Sequence, residues 1–226
     1  MLTIKNRLIS MLGLYFRFPV MKRCYDMHKE IKYLDVGCGN HSPTITKSEF
    51  PSLSYYGIDL VEDYNNTPED IANIDHFFKR DLTDVEFDGI PNGFFDVINM
   101  SHVIEHLQNG DEVIRGLLPK LKEGGIIYIE FPNMNSTVLP SKKGTLNFFD
   151  DSTHVRIYSL RELYNLLLCE GMTFVEGGRR KNLLKTLILP LLVIHNFYSY
   201  GHVEGGVLWD FMGFADYCVF KRRMES

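Results

Sequence analysis

Tyr33-Leu34-Asp35-Val36-Gly37-Cys38-Gly39-Asn40 joins an apolar run to an acidic residue and a GxG turn, a combination that lets a polar ligand approach bare backbone. Further along, Asp59 closes a second short run, Tyr55-Tyr56-Gly57-Ile58. A carboxylate at that point is placed to accept hydrogen bonds from both hydroxyls of a ribose. Turn and acid together point to a nucleoside cofactor. A dinucleotide fingerprint would set a third glycine at position 42, with a helix N-terminus receiving the pyrophosphate. Ser42 stands there and Pro43 follows, so a pyrophosphate site lacks support.

Leu34-Asp35-Val36-Gly37-Cys38-Gly39 closely resembles the first motif of the class I S-adenosylmethionine (SAM) methyltransferases, and the resemblance runs from about Tyr33 to Gly171. It implies that Asp35 orients the glycine turn near the methionine end of SAM, while Gly37 and Gly39 admit the cofactor closely. Asn40 and His41 are within reach of its carboxylate. Asp59 then holds the ribose, with Leu60 beside it. Asp81-Leu82 matches the position where an acid takes the adenine amino group and an apolar neighbour packs on the ring. The bland alternatives are a tight turn for the glycines and loop acids for Asp59 and Asp81. Ser101-His102-Val103-Ile104-Glu105-His106-Leu107 strongly resembles the H-V-[LI]-E-H segment of many small-molecule methyltransferases. Met100, Ser101 and His102 would then face the sulfonium and amino group, where carbonyls and electron-rich groups favour a cation without attacking its methyl. His106, expected on one helix with His102, is open between packing and function.

Methyl transfer from a sulfonium is an in-line displacement, so alignment of the acceptor supplies much of the catalysis. A hydroxyl acceptor needs a base, an amine needs only to be neutral, and a carbon acceptor must be enolate-like. The sequence does not choose among O-, N- and C-acceptors. Glu130 and Asn133 end an expected fifth strand, on the edge where ligands collect in open α/β sheets, and are candidate substrate-binding residues. Asp150 to Tyr158 resembles a recurring family segment that places a His and an Arg over the acceptor pocket. That implies a general base at His154 and an anion clamp at Arg156, which extended geometry would turn the same way. A structural role, holding the loop to the following helix, is the alternative.

These residues need a scaffold, and strand-like and helix-like runs alternate along the chain, as in a parallel sheet covered on both faces. Further strands are expected at His76 to Leu82, Phe94 to Met100, Ile126 to Glu130, Met172 to Val175 and Phe214 to Phe220. A helix from about Asp111 to Leu121 carries Val113, Ile114, Leu117, Leu118 and Leu121 at helical spacing, and Gly124-Gly125 are expected to stop it. Ser159 and Glu162 form a capping box before an amphipathic helix that Gly171 ends. Ser42 is expected to cap a short helix with Pro43 in its first turn. The resemblance implies a Rossmann-like α/β fold: a seven-stranded, mostly parallel sheet with six helices on both faces, its last strand antiparallel between the fifth and sixth.

Two segments exceed that minimum. Residues 1 to 30 are basic, with Lys5, Arg7, Arg17, Lys22, Arg23 and Lys29 interleaved with apolar residues, and read as an amphipathic helix preceding a domain of residues 31 to 226. Arg17 and the lack of a small-x-small site argue against a signal peptide. Residues 177 to 213 form an apolar insertion, whose run from Leu183 to Ile194 is broken by Lys185 and Pro190 and falls short of the roughly 20 residues of a membrane span. The two segments suggest an amphiphilic acceptor, such as a lipid-linked sugar, a quinone precursor or a polysaccharide intermediate, with peripheral membrane contact. A homodimer interface or a pocket lid are the bland readings.

The 226 residues suit one domain with a full core, 45% apolar and 23% charged. A net charge of -5 argues against a general nucleic-acid surface. Exocyclic-amine methylation of nucleic acid would also bring an [ND]-P-P-[YFW] run where Asn99-Met100-Ser101-His102 stands. Cys24, Cys38, Cys169 and Cys218 are far apart, so neither a metal site nor a disulfide framework is expected, and a cytoplasmic location fits. The leading expectation is a SAM-dependent methyltransferase acting on a small molecule and releasing S-adenosylhomocysteine (SAH). A non-catalytic SAM-binding sensor or inactive partner subunit is the competing class, and a nicotinamide oxidoreductase ranks third.

Overall fold

Seven strands pair into one sheet in the computed structural model, which describes residues 15–224. They are β1 (Lys32–Val36), β2 (Ser54–Asp59), β3 (His76–Lys79), β4 (Phe95–Ser101), β5 (Leu121–Pro132), β6 (Thr173–Arg179) and β7 (Ala215–Lys221). Their order across the sheet is β3-β2-β1-β4-β5-β7-β6. The first five run parallel, and β7 lies antiparallel between β5 and β6, the Rossmann-like arrangement expected. The chain steps outward from β1 to β3 and then returns to β4, so the order reverses between β1 and β4. In open α/β sheets that switch point is where a ligand crevice opens, outside the carboxyl ends of the strands.

Side chains alternate between faces along each strand, and two cores result. Leu34, Val36, Ile98 and Met100 pack on one face with α4 (Gly110–Leu117) and α5 (Leu160–Cys169). Tyr33, Tyr55, Val97 and Tyr128 pack on the other with α1 (Arg17–Cys24), through Phe18, Val20 and Met21. Full burial of each such aliphatic side chain contributes about 1.5–3 kcal/mol. Residues 17–24 are therefore part of the core. Their exposed Lys22 and Arg23 pair with Glu49 and Glu176 of the same chain. The expectation for residues 1–14 lies outside the described residues.

Several boundaries differ from expectation. α4 stops at Leu117, and Leu118–Lys120 form a 3-10 turn because Pro119 cannot continue the helix. Gly124 and Gly125 do not stop it; both lie inside β5. A Cβ at Gly125 would meet the carbonyl oxygens of Asp96 and Phe95 at 3.0 and 3.1 Å, so glycine there permits the close approach of β4 and β5. β6 continues to Arg179, past the start of the expected insertion, which then forms α6 (Leu183–Leu187), α7 (Leu189–Tyr200) and α8 (Trp209–Met212). His102 and His106 do not share a helix. His102 has φ +55° after the end of β4, and His106 ends a single 3-10 turn, Ile104–His106. No helix among the described residues is long and apolar enough to cross a membrane.

Candidate active site

The glycine turn after β1 forms the floor of the crevice. Gly37 adopts φ +73°, and a Cβ on it would come within 2.4 Å of Val103 Cγ2, so the position requires glycine on both counts. Ahead of it, the buried Asp35 carboxylate accepts hydrogen bonds from the Tyr55 hydroxyl (2.5 Å), the Ser42 hydroxyl (2.5 Å) and the Asn99 amide (2.6 Å). This alters the reading of Ser42. It does not cap the helix α2 (Ser42–Glu49); His41 occupies the cap position without a side-chain bond, and Ser42 serves Asp35 instead. Pro43 does lie in the first turn.

Two adjoining cavities share this floor. The larger, about 550 Å³, is lined by Gly37, Gly39, Asn40, Asp59, Leu60, Asp81, Leu82, His102 and His154 among the expected site residues. Asp59 accepts from the Leu60 amide at 2.7 Å, and burial raises its pKa. Asp81 lies at the surface, its pKa lowered by the Thr83 hydroxyl and amide. The smaller cavity, about 290 Å³, is lined by Asp35, Ser101 and Glu130, and meets the larger one at Gly37, Gly39, Asn40 and His102.

His102 sits at that junction. Its Nδ1 is 3.2 Å from Glu105 Oε1 and its Nε2 is 2.9 Å from Glu130 Oε1. Burial opposes its charge, but the two carboxylates prevail and raise its pKa to about 9, so it is an imidazolium at neutral pH. Burial likewise favours a neutral Glu130, yet Arg180 and His102 hold its pKa well below the carboxylate range. Arg180 Nη1 donates to Glu130 at 2.6 Å, and Trp209 packs 4.7 Å from the His102 ring.

Four expected residues, His41, Met100, Asn133 and Arg156, are not brought to either cavity. Met100 is buried in the core. Asn133 donates to the Gly213 carbonyl and to Asp216. His154 and Arg156 part company because residues 151–158 form an irregular loop. His154 lines the larger cavity, whereas Arg156 pairs with Asp111 at 3.2 Å and stacks on the Tyr158 ring. His41 is engaged by Asp70 at 2.7 Å.

Residues 19–176 match a family described as a methyltransferase domain. The chain belongs to that family. Its sheet order and glycine turn place it in the class I superfamily, with SAM as the cofactor and SAH as the product. The fold is similar to a SAM-dependent methyltransferase from Archaeoglobus fulgidus, at 20% identity and TM-score 0.59, covering 93% of this chain and 94% of that one. A SAM-dependent methyltransferase from Mesorhizobium loti is similar at 13% identity and TM-score 0.62, over 93% and 100% of the two chains. A Haemonchus contortus phosphoethanolamine N-methyltransferase 2, bound to phosphomonomethylethanolamine and SAH, is similar at 16% identity and TM-score 0.64, over 91% of this chain and 52% of that one. Sequence comparison with curated proteins found no match.

The methyltransferase's cavities fit SAM chemically: Asp59 and Asp81 carry acceptor oxygens that would suit ribose and adenine, Leu60, Leu82 and Val103 offer apolar surface, and the smaller cavity holds a cation that would suit a carboxylate. That cation is Arg17, which sequence reasoning did not assign. Its guanidinium is buried, and its Nε has no hydrogen-bond partner. Burial works against its charge, but Tyr33 and Asp35 lead a set of groups that raise its pKa. Asn99, Glu105, Arg180 and Trp209 were likewise unassigned. Glu105 lay inside the H-V-I-E-H segment and Arg180 inside Arg179-Arg180-Lys181, so both signals were visible without their partners.

Proposed function

We propose that this methyltransferase transfers the methyl group of SAM to a hydroxyl of a small, amphiphilic acceptor bound in the larger cavity. The observation that carries the reading is the state of His154. Its Nδ1 is 2.7 Å from the Phe148 carbonyl, which can only accept, so Nδ1 carries a proton and Nε2 is the nitrogen left to act as a base. His154 lines the same cavity as Gly37, Asp59 and Asp81, so that nitrogen serves an acceptor held beside the cofactor residues. Bound there, SAM would supply an electrophilic methyl on a sulfonium; His154 Nε2 would take the proton of the hydroxyl whose oxygen gains that methyl, and SAH would leave with the former S–C bonding pair.

An amphiphilic acceptor is supported by Leu187, Leu191, Ile194 and Tyr198, which follow one another at helical spacing on α6 and α7 and are all exposed. A lipid-linked sugar, a quinone precursor or a polysaccharide intermediate would combine such an apolar anchor with a free hydroxyl. The test is transfer of labelled methyl from SAM into extracts of polar lipids and sugars. A labelled O-methyl product whose formation falls at least 100-fold in His154→Ala supports the reading. Undiminished transfer in that variant, or label only on amines, overturns it.

A further inference from the structure

We infer that Glu105, His106 and His154 form a binding site for a divalent transition-metal ion in the larger cavity. The amides of Val155 and Arg156 donate to the Glu105 carbonyl at 2.9 and 3.1 Å, which fastens the 151–156 loop to the 3-10 turn. His106 and His154 are thereby neighbours, with ring centroids 4.8 Å apart. His106 repeats the tautomer argued for His154. Its Nδ1 lies 3.2 Å from the Thr153 carbonyl and 2.9 Å from Thr153 Oγ1, whose own proton goes to Asp151 at 2.5 Å. Nδ1 therefore donates, and Nε2 keeps a lone pair. Metal-ligating histidines are held this way: one nitrogen on a carbonyl fixes the ring so that the other can bind.

Glu105 supplies the anionic ligand. It is 1% exposed, and while Oε1 receives His102 Nδ1, Oε2 is buried with no hydrogen-bond partner. A buried carboxylate oxygen without a partner suits a cation, and the same carboxylate's Oε1 lies 4.0 Å from His154 Nε2. The ligand atoms of the three residues lie within 4.8 Å of one another. Metal–nitrogen bonds of about 2.1 Å set neighbouring tetrahedral donors about 3.4 Å apart, so an inward movement of each ligand atom by about 1 Å or less closes the site. Asp151 Oδ2, 3.9 Å from His154 Nε2, adds a second carboxylate beside it.

Two imidazoles and one carboxylate suit Zn²⁺, Mn²⁺ or Fe²⁺, whereas Mg²⁺ and Ca²⁺ prefer oxygen ligands alone. Three protein ligands leave coordination positions open toward the cavity. The link to catalysis rests on the hydroxyl-acceptor reading. The ion and the acceptor's proton compete for the one Nε2 lone pair of His154, so a bound ion would block the proton transfer proposed above.

The full chain, stripped with EDTA, is titrated with Zn²⁺ and separately with Mn²⁺ by calorimetry, and SAH binding is measured on the same samples. One ion per chain is expected, with affinity falling at least about 100-fold in His154→Ala and in His106→Ala. SAH binding reports that each variant is folded, and His106→Ala carries the test where His154→Ala does not fold. No stoichiometric binding of either ion, or binding unchanged in both variants, overturns the site. SAH binding without ion binding removes the site and spares the methyltransferase reading. Ion binding without SAH binding does the reverse.

Discussion

Arg17 on α1 donates a 3.0 Å hydrogen bond to the hydroxyl of Ser42 on α2, and Ser42 donates onward to Asp35 below the glycine turn. The N-terminal helix is thus wired into the cofactor site. The Arg17 guanidinium also lines the smaller cavity, where it would suit the carboxylate of a bound SAM.

Arg17→Ala is expected to raise the Kd for SAH by about 10- to 100-fold, the range for losing a hydrogen bond to a charged group. Arg17→Lys should recover only part, because the fork that reaches Ser42 and Thr46 together is absent. Calorimetry with SAH checks both. Equal affinity in Arg17→Ala would detach α1 from cofactor binding.

His102 predicts a pH dependence. Its folded pKa of about 9 exceeds the ordinary 6.5, so the stabilisation it brings is complete below pH 6.5 and is lost as pH rises through 9. The loss amounts to at most about 3 kcal/mol. Urea unfolding at about pH 6, 7.5 and 9.5 should show stability falling across that window. His102→Gln should flatten the fall, since glutamine cannot titrate. An identical pH slope in the variant would mean that other groups carry it.

The placing of Asp35, Gly37, Gly39 and Asp59 around one crevice was legible because it is local: the first three belong to one strand and its turn, and Asp59 ends the next strand, so spacing alone positions them. The surroundings of Glu105 and Arg156 were not. Glu105 acquires its setting from a loop some fifty residues away, through amide bonds that no periodicity announces. Arg156 was misread for a similar reason: alternation places side chains only in a strand, and 151–158 is not one. β7 between β5 and β6 followed from the resemblance, while the length of β6 escaped notice because that strand is largely exposed and lacks an apolar pattern.

Arg180 ties the insertion to the sheet. It donates to Glu130 at 2.6 Å and to Asp210 at 3.2 Å, while Lys185 meets Asp210 at 2.9 Å. Removing one partner from a buried ion network costs about 3–5 kcal/mol, because the charges left behind are unmet. Arg180→Met should therefore lower Tm by roughly 10 °C in a domain of this size. Limited proteolysis should also cut the variant first between α6 and α8. A variant as stable and as resistant as the parent would show that the network adds nothing.

The exposed stripe of α6 and α7 makes the last prediction. Leu187 is 71% exposed, Leu191 68% and Tyr198 85%, and no residue of α7 is buried, so the helix presents more apolar surface than its own packing uses. Exposed Arg179 and Lys181 stand just ahead of it. Apolar stripe and basic flank together suit an anionic lipid surface, each inserted leucine contributing about 1.5–3 kcal/mol. The full chain should sediment with vesicles of phosphatidylcholine and phosphatidylglycerol. Leu187→Glu combined with Leu191→Glu should reduce that at least about tenfold, leaving SAH affinity unchanged because neither residue lines a cavity. Equal sedimentation of parent and variant, or none by either, would remove the lipid surface and leave the stripe to another partner.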